Sequence, residues 1–373
     1  MDIFKQLNKK NSAHRYCDEA PHEFAERMMM TVNASAVALG LSVGVETGLF
    51  KIITSLKEPK TSVEIADLAG LKERYVREWL AAMVVARVVD VDATNDTYSI
   101  PKERAPFLSE GPLNVVAFTK LVPMLCEGYD NVLACFRKDG PSGVPYSKYK
   151  RFHQFMDYMS NRMHTATLIP EVVPSVPGLS QILDTGVEAL DIGCGSGRAV
   201  LLLAQRYPRS IFYGVDISDE AITHAKSEAK RLKLTNCNFL VHDATQLPKR
   251  WSDNFDFVMA FDCIHDMARP KSVLSEIHRV LSPGGTFAML EINVHSHPSR
   301  NIGNPRATDG YVISLMHCMP VSLYFEEGEG LGTMWGKEHI MKSLEDEGFG
   351  DVTAKPSKDT FNLIFVSKKK SDS

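Results

Sequence analysis

From about residue 181 the chain alternates short apolar runs with amphipathic segments, and the first run ends in a glycine turn, "LDIGCGSGRAV" (Leu190–Val200). Apolar strands are read at 189–192, 211–215, 237–241, 255–261, 286–292 and 361–366. Helical segments such as "RAVLLLAQRY", "DEAITHAKSEAKRLK" and "PKSVLSEIHRVL" fall between them. Strand–helix alternation of this kind predicts a doubly wound α/β sheet, with its ligand beyond the carboxyl ends of the first strands. The segment "DVTAKPSKDTFNLIFVSKK" carries two strands with no helix between them, so a terminal hairpin is expected. Residues 293–335 form a long insertion of the kind that carries substrate contacts.

The glycine turn narrows the ligand. A dinucleotide fingerprint, Gly-x-Gly-x-x-Gly/Ala, needs a small sixth residue to pack its helix onto the strand. Here the glycines are Gly193, Gly195 and Gly197, and Arg198 stands in the sixth place. Asp191, two residues ahead of the first glycine, would repel a pyrophosphate. It favours instead the cationic sulfonium and α-amino groups of S-adenosylmethionine. Asp216 ends the second strand, followed by Ile217, and is placed to accept ribose hydroxyls. Asp243 ends the third, followed by Ala244, and is placed to accept from the adenine amino group. Each acid alone has an ordinary alternative as a helix N-cap; three around one glycine loop make a joint signal.

The first 111 residues follow another plan. "TSVEIADLAG" offers Thr61 as an N-cap with Glu64 three residues later, a capping box, and ends at Gly70. "LKERYVREWLAAMVVARVV" reads as a second amphipathic helix with Tyr75, Trp79 and Met83 on one stripe. "VVDVDATNDTYSIP" alternates about a polar turn, as a two-stranded wing does. A winged helix raises the question of DNA, and the charges answer it. Lys72, Arg74 and Arg77 are accompanied by Glu73 and Glu78, and the wing carries Asp90, Asp92 and Asp96, whereas a phosphate-binding face is net basic. Gly40 and Gly44 are read as close-packing positions and Gly48 as a helix C-cap. The longest apolar run, Val37–Val45, is about half a membrane span, so no membrane partner is expected.

With 373 residues, three units are expected: a winged-helix-like dimerisation and lid unit over 1–111, a helical bridge over 112–180, and a cofactor-binding domain over 181–373. A net charge of −4 gives no general argument for nucleic acid. The seven cysteines form no CxxC pair, which predicts neither a structural metal nor a disulfide framework and fits a reducing, cytoplasmic location.

"LDIGCGSG", "GVDIS", "VHDATQLP", "FDFVMAFDCIHD" and "LSPGGTFAMLE" resemble, in order, the motifs of class I S-adenosylmethionine-dependent methyltransferases, over about 181–370. With the N-terminal segment, the chain resembles winged-helix-fused members of that family. The resemblance implies a Rossmann-like seven-stranded sheet with its last strand antiparallel. It also implies that the winged helix serves dimerisation and site closure.

Methyl transfer from a sulfonium needs alignment and exclusion of water, and a base only where the acceptor loses a proton. His265, after the fourth strand in "FDCIHDM", is the candidate base, with Asp266 placed to orient it. Phe261 and Asp262 are read as cofactor neighbours. His153, His164, His295, His297, His317 and Cys318 are weaker candidates, and with Glu326 and Glu327 they show no metal-ligand spacing, so no metal is expected. The reading is transfer to oxygen or nitrogen of a small acceptor. The rivals are a DNA-binding regulator that senses S-adenosylmethionine, and a protein methyltransferase.

Overall fold

The computed structural model describes residues 19–111, 113–304, 306–358 and 361–370. Two compact units meet in sequence at Glu127 and Gly128. The helices between 112 and 180 fall on either side of that division.

The first unit contains helices α1 (Pro21–Glu46), α2 (Leu49–Ser55), α3 (Ser62–Ala69) and α4 (Glu73–Val85), then a two-stranded antiparallel wing, β1 (Asp90–Asp92) and β2 (Thr97–Ser99). The capping box opens α3 as expected: Thr61 Oγ1 accepts from Glu64 N, and Thr61 N donates to Glu64 Oε2 at 2.9 Å. Gly48 takes the left-handed conformation just beyond α1. The small residues of α1 have a packing reason: the Trp79 indole donates to the Gly40 carbonyl at 2.8 Å, and a Cβ on Gly44 would stand 2.5 Å from the Trp79 ring. The buried stripe of α4 is Val76, Trp79, Leu80 and Met83. Tyr75 does not belong to it, being 75% exposed. The helical period of 3.6 puts residue 75 outside the i, i+3, i+4, i+7 face that starts at Val76. On the same helix Arg74 pairs with Glu78 at 2.5 Å and Arg77 with Glu73 at 3.3 Å.

The second unit contains α5 (Phe152–Thr167), β3 (Glu188–Ile192), α6 (Arg198–Arg206), β4 (Ile211–Asp216), α7 (Asp219–Arg231), β5 (Cys237–Val241), β6 (Phe255–Phe261), α8 (Pro270–Val280), β7 (Leu281–Ile292), α9 (Ala307–Ile313), α10 (Met319–Tyr324), α11 (Gly336–Asp346), β8 (Phe349–Pro356) and β9 (Asn362–Lys369), besides shorter helical turns. The seven strands lie in the order β5-β4-β3-β6-β7-β9-β8. β3 to β7 are parallel, and β9 runs antiparallel to both its neighbours. The expected seven-stranded sheet and terminal hairpin are therefore present. Neighbouring residues of β3, Ala189 and Leu190, point into opposite cores, one on each face of the sheet. That two-sided burial is why these strands read as continuous apolar runs. The order reverses between β3 and β6, so a crevice opens at the carboxyl end of β3, where the glycine turn lies.

Candidate active site

The turn after β3 takes three left-handed glycines, with φ of +66° at Gly193, +51° at Gly195 and +77° at Gly197. Two of them pack. A Cβ on Gly193 would meet Cys263 Sγ at 2.8 Å, and one on Gly197 would collide with the Phe239 ring. Gly195 faces open space, with nothing within 4 Å of its Cβ position. The packing role that a dinucleotide fold gives to its sixth residue is filled here by Gly197. Arg198 starts α6 and donates to Thr165 Oγ1 at 2.9 Å. The turn is held by Gly195 N donating to Asp216 Oδ2 at 2.8 Å and by Ser196 Oγ donating to Asp157 Oδ1 at 2.5 Å.

Asp191 is 3% exposed and accepts no hydrogen bond among the described residues. Burial, then the nearby Asp216 carboxylate, pushes its pKa well above the ordinary carboxyl range. A buried carboxylate with nothing to balance it favours a cationic ligand, and an open left-handed glycine lets that ligand lie against the backbone. The residues present thus fit S-adenosylmethionine, and the same carboxylate opposes a pyrophosphate.

The other acids are partly engaged. Asp216 accepts from Gly195 N and, at 2.9 Å, from Ser218 N. Asp243 is exposed, accepts from Thr245 N and Oγ1 at 2.8 Å each, and lies 3.8 Å from Arg269 Nη2. Ile217 is exposed and Ala244 half-buried. The Phe261 ring stands 5.3 Å from that of His164. Asp262 holds φ at +50°, and both its carboxylate oxygens accept from Asn362 Nδ2 at 3.0 Å.

His265 is buried on the short turn Ile264–Asp266, and its Nδ1 lies 2.7 Å from Oε2 of the fully buried Glu291. Burial alone would lower the imidazole pKa. The Glu291 carboxylate, with the Cys318 thiol against the same ring, outweighs burial and holds it well above 6.5. Thr333 Oγ1 donates to Cys318 Sγ at 3.0 Å. Asp266 accepts from the Tyr146 hydroxyl at 3.0 Å; burial pushes its carboxyl up to about 6, against the pull of His265 and Tyr146. Beside this cluster the Phe152 ring stacks on His317 at 4.2 Å, with Tyr149 at 4.6 Å and Tyr146 at 5.7 Å edge-on.

The remaining histidines are used otherwise. His164 is buried and, through burial and then Arg198, its pKa falls to about 4. His295 pairs with Glu338 at 2.7 Å, and His297 Nδ1 lies 2.8 Å from Ser299 Oγ. Glu326 and Glu327 are exposed. The His153 side chain lies outside the described residues. Glu291, Tyr146 and Asp157 were not anticipated. Glu291 had a signal, an acid inside the apolar run "AMLEI" at a strand end; Asp157 lies within "FHQFMDYMS", where the Met and aromatic residues drew the reading, and Tyr146 lies in a Gly/Pro-rich break.

A methyltransferase-domain family model matches residues 183–346, and a Rv2258c-like winged HTH domain model matches residues 35–110. Demethylmenaquinone methyltransferase of Geobacillus kaustophilus is 33% identical over 179 residues, covering 46% of this chain and 74% of the relative. The chain belongs to the S-adenosylmethionine-dependent methyltransferase family. Against other curated relatives it spans about half of their length, 48% to 58%. Among solved structures it is similar to human N-acetylserotonin methyltransferase (TM-score 0.67, 17% identity, 95% of this chain and 99% of that one). It is also similar to an O-methyltransferase family protein from Burkholderia thailandensis (TM-score 0.69, 13% identity, 94% and 99%).

Proposed function

We propose that the protein transfers the methyl group of S-adenosylmethionine to a hydroxyl of a small acceptor, with His265 as base. The observation that carries this reading is the contact between His265 and Glu291, 2.7 Å apart in a dry setting. S-adenosylmethionine supplies, when bound, an electrophilic methyl that needs no activation. Asp191 would face its cationic groups, the amides of Gly193, Gly195 and Gly197 its backbone side, Asp216 its ribose and Asp243 its adenine, with Ile217, Ala244, Phe261 and Asp262 beside them. The two amides on Asp216 leave lone pairs for ribose hydroxyls. Glu291 keeps a proton on Nδ1 of His265, which leaves Nε2 to take the proton of the acceptor hydroxyl. The stacked rings of Phe152 and His317 favour a flat acceptor. That the similar Burkholderia structure is of an O-methyltransferase family protein supports oxygen over nitrogen. The test is transfer of a tritiated methyl group to panels of phenols, aliphatic alcohols and amines. Label confined to amines, or transfer to hydroxyls untouched by loss of His265, would sink the reading.

Asp216→Ala is expected to weaken S-adenosylmethionine binding by about 1.5–3 kcal/mol, a charge-assisted hydrogen bond. Calorimetry measures it, and unchanged affinity removes Asp216 from the site.

The first unit supports a homodimer, and the seven cysteines without a CxxC pair support a reducing, cytoplasmic location. The amino-terminal half of α1 exposes Met29 (67%), Met30 (71%) and Val32 (62%), with Phe24 beside them. These side chains are spread around the helix, and a monomer rarely leaves so much apolar surface in water. α1 has 26 residues and a mean hydropathy of 1.6, enough to cross a membrane by length and composition. Its carboxyl half, however, packs through Gly40 and Gly44 on Trp79 and Phe50, which supports a second copy over a bilayer as the cover. Met29→Glu with Met30→Glu is expected to turn a dimer into a monomer in sedimentation velocity; a wild-type protein monomeric at micromolar concentration contradicts the reading. The paired charges of α4 speak against the rival DNA-binding role.

A further inference from the structure

We propose a second ligand site, for a small phosphorylated molecule, in a groove of 660 Å³ at the open edge of the sheet. The groove straddles edge strand β5, reaching from α7 on one face to the turn at 249–251 on the other. Apart from Phe239, whose ring packs against Gly197, its lining residues are distinct from those of the glycine-turn site.

Its lining holds hydrogen-bond donors and no carboxylate. Lys226 and Lys230 stand one turn apart on α7, and Arg250 comes from the facing turn. Among the described residues none of the three has an ion pair, although Arg231 beside them in sequence and Arg279, bonded to Ser252 next to the turn, are both paired. The Trp251 side chain is 5% exposed, yet its indole N–H donates to nothing among the described residues. The Tyr213 hydroxyl and the Asn238 amide likewise have no side-chain partner there. Burial first, then Glu188, raises the Tyr213 pKa against the pull of Arg250, so the phenol stays a donor. Glu188 itself is engaged by Asn254 Nδ2 at 2.6 Å.

Three cations and unpaired neutral donors around one groove call for a ligand with at least two negative charges and several acceptor oxygens. A phosphate ester supplies both, and a single carboxylate does not. The groove is of the size that holds a drug-sized molecule. The neighbouring Tyr213 and Trp251 rings add an apolar side for the body of such an ester.

Calorimetry with pyrophosphate and with ADP tests the site, on full-length protein saturated with S-adenosylhomocysteine so that a nucleotide cannot enter the first site. The expected result is one equivalent of probe bound, more weakly as salt rises. Lys226→Glu with Lys230→Glu, and separately Arg250→Glu, should each raise the Kd at least tenfold; these exposed positions leave the core untouched. Trp251→Phe should raise it a few-fold while keeping the ring, and Asp216→Ala should leave it unchanged. No binding, an affinity indifferent to the charge reversals, or binding abolished by Asp216→Ala overturns the proposal. Tighter binding of a single-stranded oligonucleotide than of ADP through the same cations also overturns it, and assigns the groove to nucleic acid.

Discussion

An enzyme with asparagine at position 265 is expected to lose about 10²–10⁴-fold in kcat, the range that a positioned general base supplies. Its affinity for S-adenosylmethionine should stay within about twofold, because the turn that binds the cofactor is held by Asp216 and Asp157 and not by His265. The pH profile gives the sharper reading. With the His265 pKa held well above 6.5, kcat/KM should rise through an inflection on the alkaline side of that value. Glu291→Gln removes the charge that opposes burial, so the inflection should move to lower pH while the plateau rate falls. An inflection that stays in place would detach Glu291 from the base. The same shift bears on stability: a histidine with a raised native pKa stabilises fully below its unfolded value, and that stability is lost as pH rises through the native one. Wild-type protein should therefore lose more stability than His265→Asn as pH rises above about 6.5.

Asp191→Asn is expected to have two opposite effects. Affinity for S-adenosylmethionine should drop at least tenfold, about 1.4 kcal/mol, because the amide cannot balance a cation. The ligand-free protein should become more stable at pH 8. Asp191 has a native pKa raised above its unfolded value, so between the two the native state holds more protons and stability falls as pH rises. Asparagine removes that penalty, and the difference between the two proteins should shrink as pH falls toward about 4. Melting curves with and without S-adenosylmethionine across that range measure both effects. A variant that is no more stable than wild type, or that binds as tightly, would show that Asp191 has a partner within the protein.

Where side chains follow the backbone period, the chain could be read directly. The strands, the glycine turn and the three strand-end acids were legible because each occupies a set distance from an apolar run. The capping box of Thr61 and Glu64 was legible for the same local reason. What could not be read depends on distant segments meeting. Tyr146 reaches Asp266 across 120 residues, and Asp157 reaches Ser196 across 39. Tyr75 was misplaced because i, i+4, i+8 spacing drifts about 40° per step, which carries residue 75 off the buried face that Val76, Trp79, Leu80 and Met83 share. The residue that packs the glycine turn was not legible either. Gly197 is pressed by Phe239 from β5, a neighbour that no local pattern names.

The clamp between Asp262 and Asn362 joins the turn after β6 to the first residue of β9, and β9 fits between β7 and β8. β9 follows every other strand of the sheet in the chain, so during synthesis the turn that carries the base is left without its anchor until β9 emerges. Until then β7 has no partner on one side and β8 has none at all. A nascent chain should consequently remain protease-sensitive and indifferent to S-adenosylmethionine until β9 clears the ribosome and closes the gap between β7 and β8.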